Sequence, residues 1–255
     1  MKLSSLIKYI FIEFKNLFIY PSVRKLSSIN YEQYWLDRSQ NKNLDEFVQD
    51  MTPNPFMVQR TQIFVNEFYK NSSNKEINLF DFGSGDGRQL LDLKNTEINF
   101  SNIVASDISQ YSLKKLSKYF DTFDLSKNNL SQIKKGEYDV LTAFEVIEHI
   151  PNCEEQLLEM YRISNSLVCF SVPNTGFIMH RLRLLLGKFP LQWRSNPSEH
   201  VRFWTSSDMY WWLTEIMDFD PNTFKIYHYA GFPLLCKLPF FKSLFCKGIL
   251  VLIYK

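Results

Sequence analysis

The chain of 255 residues carries 29 Lys and Arg against 27 Asp and Glu, a net charge of +2, and is 45% hydrophobic and 22% charged. That length fits one large domain, or one domain with appendages, and a core that needs no disulfide or metal staple. The composition excludes a wholly disordered chain, and the near-neutral total excludes a uniformly basic nucleic-acid coat. The charge is unevenly spread: residues 1–30 sum to +4 and residues 225–255 to +5, which leaves −7 for the body between them.

The chain opens on MKLSSLIKYIFIEFKNLFIYP. Lys8, Glu13, Lys15 and Asn16 break the apolar run, so it reads neither as a secretory signal nor as a membrane span. Leu3, Leu6, Ile7, Ile10, Phe11, Phe14, Leu17 and Phe18 recur at helical spacing, with lysines on the other face, and Pro21 stops the pattern. Two readings stay open: a basic amphipathic helix on an anionic membrane surface, or a helix packed on the domain or on a second copy. Residues 31–50 are polar with aromatic anchors and suit a helix and a loop. After Pro53 and Pro55 the spacing predicts a helix over 56–70 with Phe56, Ile63, Phe64 and Phe68 inward.

From residue 77 the pattern changes. Short apolar runs (Ile77–Phe82, Ile103–Ala105, Thr122–Leu125, Tyr138–Phe144, Leu167–Val172) alternate with helical stretches at 109–119 and at 153–162, the latter capped near Asn152. This is the pattern of an α/β fold with a parallel sheet covered on both faces. Residues 174–204 interrupt it. Thr205 then caps a helix carrying Trp211, Trp212, Leu213 and Ile216, and strands at about 222–229 and 248–254 follow. Cys153, Cys169, Cys236 and Cys246 form no C-x-x-C pair. Unpaired thiols in a reducing cytosol are the expectation.

LFDFGSGDGRQLLDL (79–93) joins a strand to a helix. Its Gly83, Gly85 and Gly87 allow a sharp turn and close approach to a ligand. Asp81 and Asp86 beside them would repel a pyrophosphate and suit a cationic nucleoside, and the lack of a Lys-Ser/Thr pair after the glycines excludes a P-loop. Asp107 ends the next strand, where a carboxylate accepts from both ribose hydroxyls. Asp124 follows the third strand, and TAFEVIEHIP (142–151) ends the fourth. All four lie at carboxyl ends of strands, where open α/β sheets bind ligands.

DFGSGDG, ASDIS, FDLS and YDVLTAFEVIEHIP, in that order and spacing, resemble the successive motifs of class I S-adenosylmethionine-dependent methyltransferases. The resemblance is close over about 75–172 and loose to 255. It implies a Rossmann-like, mostly parallel seven-stranded sheet with the last strand antiparallel and helices on both faces. It implies S-adenosylmethionine as cofactor, with Asp81, Gly83, Ser84 and Gly85 at the methionine end. Asp107 would meet the ribose and Asp124 the adenine, Phe144 would line the methionine side, and Ile108 and Leu125 would also border the cofactor. EVIEHIP is similar to the ubiquinone-biosynthesis O-methyltransferase branch, NTGFIMHRLRLLLGKFP (174–190) to a MetW-like branch, and HVRFWTSSDM (200–209) to an acceptor-side segment of small-molecule methyltransferases. The expected organisation is an amphipathic helical extension over 1–55 and a methyltransferase domain over 56–255, with insertions at 174–204 and 230–248.

Methyl transfer from a sulfonium needs proximity and alignment, and an oxygen nucleophile also needs a base or a metal. His149 is the candidate base. Glu145, Glu148 and His149 share one face if their segment is a helical turn. Some methyltransferases with an E-x-x-E-H pattern, small-RNA 2′-O-methyltransferases among them, hold a divalent metal there, and His180 or His200 would complete such a site. Metal site, metal-free base and scaffold all stay open. His200 and Arg202 suit an anionic acceptor. Basic apolar stretches, Arg181, Arg183 and Lys188 among leucines and Lys237, Lys242 and Lys247 near the end, fit a lid or membrane-facing surface, or a homodimer interface. The expected protein is cytoplasmic, with peripheral membrane contact open, and methylates a small-molecule or lipid-linked acceptor: a sugar, glycan precursor or quinone-like ring. The alternatives are a MetW-like regulatory protein or a metal-dependent RNA 2′-O-methyltransferase; the lack of a broad basic track in 31–224 argues against nucleic acid.

Overall fold

The computed structural model describes residues 3–20, 55–71, 76–192, 199–232, 235–238 and 241–255. Its apolar runs become β1 (Ile77–Phe82), β2 (Phe100–Asp107), β3 (Asp121–Asp124), β4 (Tyr138–Phe144), β5 (Ser164–Pro173), β6 (Phe224–Gly231) and β7 (Cys246–Tyr254). They form one sheet in the order β3-β2-β1-β4-β5-β7-β6. β7 runs antiparallel to both β5 and β6, and the pairs from β3 through β5 are parallel. The expected seven-stranded, mostly parallel sheet is what forms. β2, β5 and β7 reach further than their apolar runs because edge positions of a strand need not be apolar.

Register brings the chemistry-bearing residues to one end of the sheet. Asp81 lies opposite Ala105 on one side and Thr142 on the other. Asp107 lies opposite Asp124, and Phe144 opposite Ser171. The central strands are buried on both faces, so each contributes alternate side chains to two cores. Phe80 and Phe82 face one core, with Leu157 and Met160 of α5 (Cys153–Ile163) and Met209 of α7 (Ser206–Trp211). Ile77 and Leu79 face the other, with Phe64 and Phe68 of α2 (Pro55–Asn71) and Leu90 and Leu93 of α3 (Arg88–Lys94). Each such buried apolar side chain contributes about 1.5–3 kcal/mol over its exposed state.

α4 (Gln110–Leu116) is shorter than the spacing predicts, with Ser117 at its C-terminus. Thr205 caps α7 as expected: its Oγ1 accepts from the Asp208 N–H, and Asp208 returns a carboxylate to the Thr205 N–H. The helix then widens into a π-helical turn over Trp212–Ile216 that buries Trp212 and Leu213 and leaves Trp211 and Ile216 exposed.

α1 (Leu3–Phe18) rests on α6 (Ile178–Leu185), and its apolar residues do not share one face. Leu17 is buried against Phe177 and Met179. Glu13 is buried too, its carboxylate paired with Lys247 Nζ. Ile7, Phe11, Phe14 and Phe18 point outward. The reason is local: two cations, Arg183 and Lys188, donate to the carbonyls of Asn16 and Phe18 at the end of α1 and hold its Leu17 side down. The helix-and-loop expectation for 31–50 lies outside the described residues, as do the side chains of Leu3, Leu6, Phe56 and Lys237.

Candidate active site

The loop after β1 is fastened to the end of β2. Ser84 N–H donates to Ser106 O at 2.8 Å, and Ser106 N–H donates back to Ser84 Oγ at 3.1 Å. Gly85 N–H donates to Asp107 Oδ2 at 2.8 Å. Asp107 Oδ1 accepts from Ser109 N–H at 2.8 Å, and Ser109 in turn caps α4. The carboxylate is thus fixed at the crossing of two strand ends. Gly83 needs to be glycine: φ is +76°, and a Cβ there would lie 2.7 Å from both methyls of Val146. Ile108, next to Asp107, leaves its apolar side chain exposed.

Asp81 is buried, and its Oδ1 accepts from the Thr142 hydroxyl at 2.6 Å. Burial pushes its pKa up to about 6, against the pull of the Thr142 and Ser84 hydrogen bonds and of Arg60. Arg60 reaches in from α2. Its Nη1 donates to Ser171 Oγ at 2.8 Å, its Nη2 to Gln89 Oε1 at 2.5 Å, and its guanidinium covers the Phe144 ring at 4.4 Å. Glu145 Oε1 accepts from Ser171 Oγ at 2.8 Å and from the Tyr229 hydroxyl at 2.7 Å, and stands 3.6 Å from Arg60.

Asp124 ends β3 beside Asp107. Its Oδ1 accepts from the N–H and hydroxyl of Ser126, and its Oδ2 from Gln110 Nε2 and Lys127 Nζ. These bonds, that of the Ser126 hydroxyl foremost, hold its carboxyl well below the usual carboxylate range. Leu125 N–H donates to Asp107 O at 3.0 Å, so the two strand ends move together.

The segment after β4 does not make the expected single helical face. Glu145 has φ +57°, which turns the backbone out of helical register and sends its carboxylate toward Tyr229. A short 3₁₀ turn over Ile147–His149 then brings Glu148 and His149 together, and the partner that joins them is His200. The Glu148 carbonyl accepts from the N–H groups of Val201 and Arg202, which carries His200 to the site. The imidazoles of His149 and His200 meet edge to face at 4.6 Å. One ligand atom each from Glu148, His149 and His200 lie within 4.8 Å of one another. Glu148 is buried, and neither of its carboxylate oxygens has a hydrogen-bond partner among the described residues. Burial first and Glu145 second push its carboxyl well above the usual range.

His149 Nδ1 lies 2.5 Å from Glu199 O. A carbonyl only accepts, so Nδ1 carries the proton and Nε2, 3.8 Å from Glu148 Oε1, carries the lone pair. Burial lowers the pKa of His149, and burial with the neighbouring His149 lowers that of His200 to about 4. Arg202 Nη2 donates to Pro151 O at 2.5 Å and to Glu154 at 2.9 Å, which fastens the 199–204 segment to α5. His180 lies apart from this group, against Phe177 on α6.

A family model for the methyltransferase domain matches residues 58–216. The chain belongs to this methyltransferase family. Its sheet order and motifs are those of the class I S-adenosylmethionine-dependent enzymes. No curated protein matches the sequence. The methyltransferase resembles the plantazolicin methyltransferase solved with S-adenosylhomocysteine, at TM-score 0.54 and 16% identity over 98% of this chain and 99% of that one. It is also similar to the magnesium protoporphyrin IX methyltransferase of Synechocystis PCC 6803, at 0.52 and 12% over 97% and 94%. Against a small-RNA methyltransferase the values are 0.53 and 19%, over 79% of this chain and 25% of that one. At these identities the likeness is one of fold.

In this methyltransferase the residues suit a cationic, phosphate-free nucleoside. The strand ends present Asp81, Asp107 and Glu145 around the glycine turn, with Arg60 as the buried cation among them. Sequence spacing does not single out Arg60, Gln89, Ser171, Tyr229 or Glu199. For Arg60 a signal exists: it lies four and eight residues before Phe64 and Phe68, on the apolar stripe of α2, where a charge needs buried partners.

Proposed function

We propose that this methyltransferase moves the methyl group of S-adenosylmethionine to an oxygen of a small-molecule or lipid-linked acceptor. The observation that carries the cofactor half is the Gly85 N–H bond to Asp107, which sets a carboxylate beside the glycine turn. In this reading Asp81, Gly83, Ser84 and Gly85 receive the methionine end, whose cationic groups meet the acids. Asp107 accepts from the ribose hydroxyls, since a carboxylate accepts up to about four hydrogen bonds, and Ile108 covers the ribose. Asp124 and Leu125 border the adenine, and Phe144 lines the methyl path. His149 takes the acceptor proton on Nε2 while Glu199 fixes its tautomer. His200 and Arg202 border the acceptor. Placement and alignment supply most of the acceleration for an in-line displacement.

A metal-assisted version rests on Glu148, whose buried, unpartnered carboxylate faces two imidazoles. Two imidazole nitrogens and a carboxylate suit a divalent transition ion. Such an ion, when bound, lowers the pKa of a hydroxyl. Calorimetric titration with Mn²⁺ separates the versions: binding that His200→Ala abolishes supports the ion, and no binding leaves His149 as a metal-free base. The function itself is tested by incubating labelled S-adenosylmethionine with fractionated lipid, small-molecule and RNA pools. Label in one pool with wild type and none with Asp107→Ala supports the reading; label in RNA, or no difference between the proteins, overturns it.

A further inference from the structure

We infer that the face formed by α1 and the turn after α6 lies on an anionic membrane surface, and that the acceptor is drawn from that surface. The second half rests on the methyl-transfer reading; the first does not.

The stripe Ile7, Phe11, Phe14 and Phe18 follows i, i+4, i+7, i+11 spacing, and these side chains are 60%, 68%, 54% and 62% exposed. Four large apolar side chains on one outward helical stripe mark an interaction site. The opposite side of α1 is already satisfied by Leu17 in its pocket and Glu13 on Lys247. Glu13 is the only acid in residues 1–20, and it is turned inward. Among the described residues no acid faces outward beside the stripe, and Lys15 is exposed next to it.

The stripe does not stop at the end of α1. Lys188 Nζ donates to Phe18 O at 2.7 Å, which joins the stripe to the turn after α6. Leu184 and Leu185 at the end of α6 and Leu186 and Phe189 just after it are all exposed. Residues 174–192 hold no acid; Arg181 is exposed and Lys188 half-buried, while Arg183 is buried beneath them. From this turn an aromatic path leads into the candidate active site. Phe189 meets Phe203 at 5.4 Å, Phe203 meets His200 at 6.4 Å, and His200 meets His149 at 4.6 Å. An amphiphile with its head at His149 would find apolar side chains for its tail along this path.

Charge decides the occupant. In a two-fold dimer through this patch a basic, apolar surface would meet its own copy, with no exposed acid among the described residues of the patch to pair with it. An anionic lipid surface offers the opposite charge to the lysines and an apolar layer to the phenylalanines. No helix among the described residues is long and apolar enough to cross a membrane, so the contact is one of lying on the surface.

The test uses the full chain and vesicles of phosphatidylcholine with and without phosphatidylglycerol, compared with Phe11→Asp/Phe14→Asp and, separately, Lys15→Glu. Wild type is expected to sediment with the anionic vesicles and not with phosphatidylcholine alone. The double variant should bind at least ten-fold less, with S-adenosylhomocysteine affinity unchanged, and Lys15→Glu should fall in between. Equal binding by wild type and the double variant overturns the surface. So does a dimer in light scattering that the double variant dissolves, which would give the stripe to a second copy. For the acceptor half, labelled methyl groups are followed in vesicles of total membrane lipid and in a soluble metabolite extract. Label in the organic phase supports it, and label confined to the aqueous phase overturns it while leaving methyl transfer and vesicle binding standing.

Discussion

The guanidinium of Arg60 lies over the ring of Phe144, 4.4 Å from its centroid, with Glu145 3.6 Å from its Nη1. A helix before the sheet thereby holds the end of β4. Removing Arg60 leaves Ser171, Gln89 and Glu145 without their shared donor. Glu145 is 30% exposed, so the pair is only half-buried, and leaving these acceptors without a charged donor costs about 1–3 kcal/mol. Arg60→Ala is expected to lower the unfolding free energy in urea by that amount, and Arg60→Lys by less. A loss for Arg60→Ala inside ~1 kcal/mol would show that the network does not hold the helix.

Gly83→Ala adds a methyl group where Val146 already sits and forces φ +76° on an L-residue, a strain of about 1–2 kcal/mol before any clash. S-adenosylhomocysteine affinity by calorimetry is expected to fall at least ten-fold, with circular dichroism unchanged. Gly187→Ala is the control, because its φ is +68° and nothing lies within 4 Å of its Cβ position. It should carry the backbone strain and leave binding alone.

Asp107→Ala strips the acceptor from two backbone N–H groups, those of Gly85 and Ser109. Cofactor-induced thermal stabilisation is expected to vanish. Asp107→Asn keeps an acceptor oxygen and should retain part of it. Full retention by the alanine variant would remove Asp107 from the ribose site.

Asp81 gives a pH signature. Its folded pKa of about 6 stands above the usual aspartate value of 3.8, so its contribution to stability is fully present below about pH 4 and is lost as the pH rises through 6. Asp81→Asn should therefore gain stability relative to wild type at pH 8 more than at pH 5. Binding runs the other way, because the cationic cofactor favours the carboxylate. S-adenosylmethionine affinity should rise about ten-fold from pH 5 to pH 7, and the rise should disappear in Asp81→Asn. A parallel rise in the variant would assign the titration to another group.

The sheet and its turns were legible because each strand is a short buried run, such as Leu167–Val172, and each strand end carries a turn-forming or acidic residue. The positions of Asp81, Asp107 and Asp124 follow from that alone. What the sequence could not show is which distant segments meet. His200 reaches His149 through two bonds to the Glu148 carbonyl, and backbone bonds leave no mark in residue types. The positive φ of Glu145 is equally silent, since glutamate does not advertise a left-handed backbone. In α1, periodicity correctly gave a helix, but it counted Leu17 and Phe11 together; only the placement of Arg183 and Lys188 separates them.

The antiparallel strand has a consequence for synthesis. β7 follows β6 in the chain yet lies between β5 and β6. A ribosome that has delivered residues up to 231 has released both flanking strands and not the one that joins them. Until residues 246–254 emerge, β5 shows an open edge and β6 has no partner in the sheet, a state prone to pairing with other chains. Closure of this sheet is therefore a late event, and a transcript cut short before that strand yields a sticky fragment rather than a smaller enzyme.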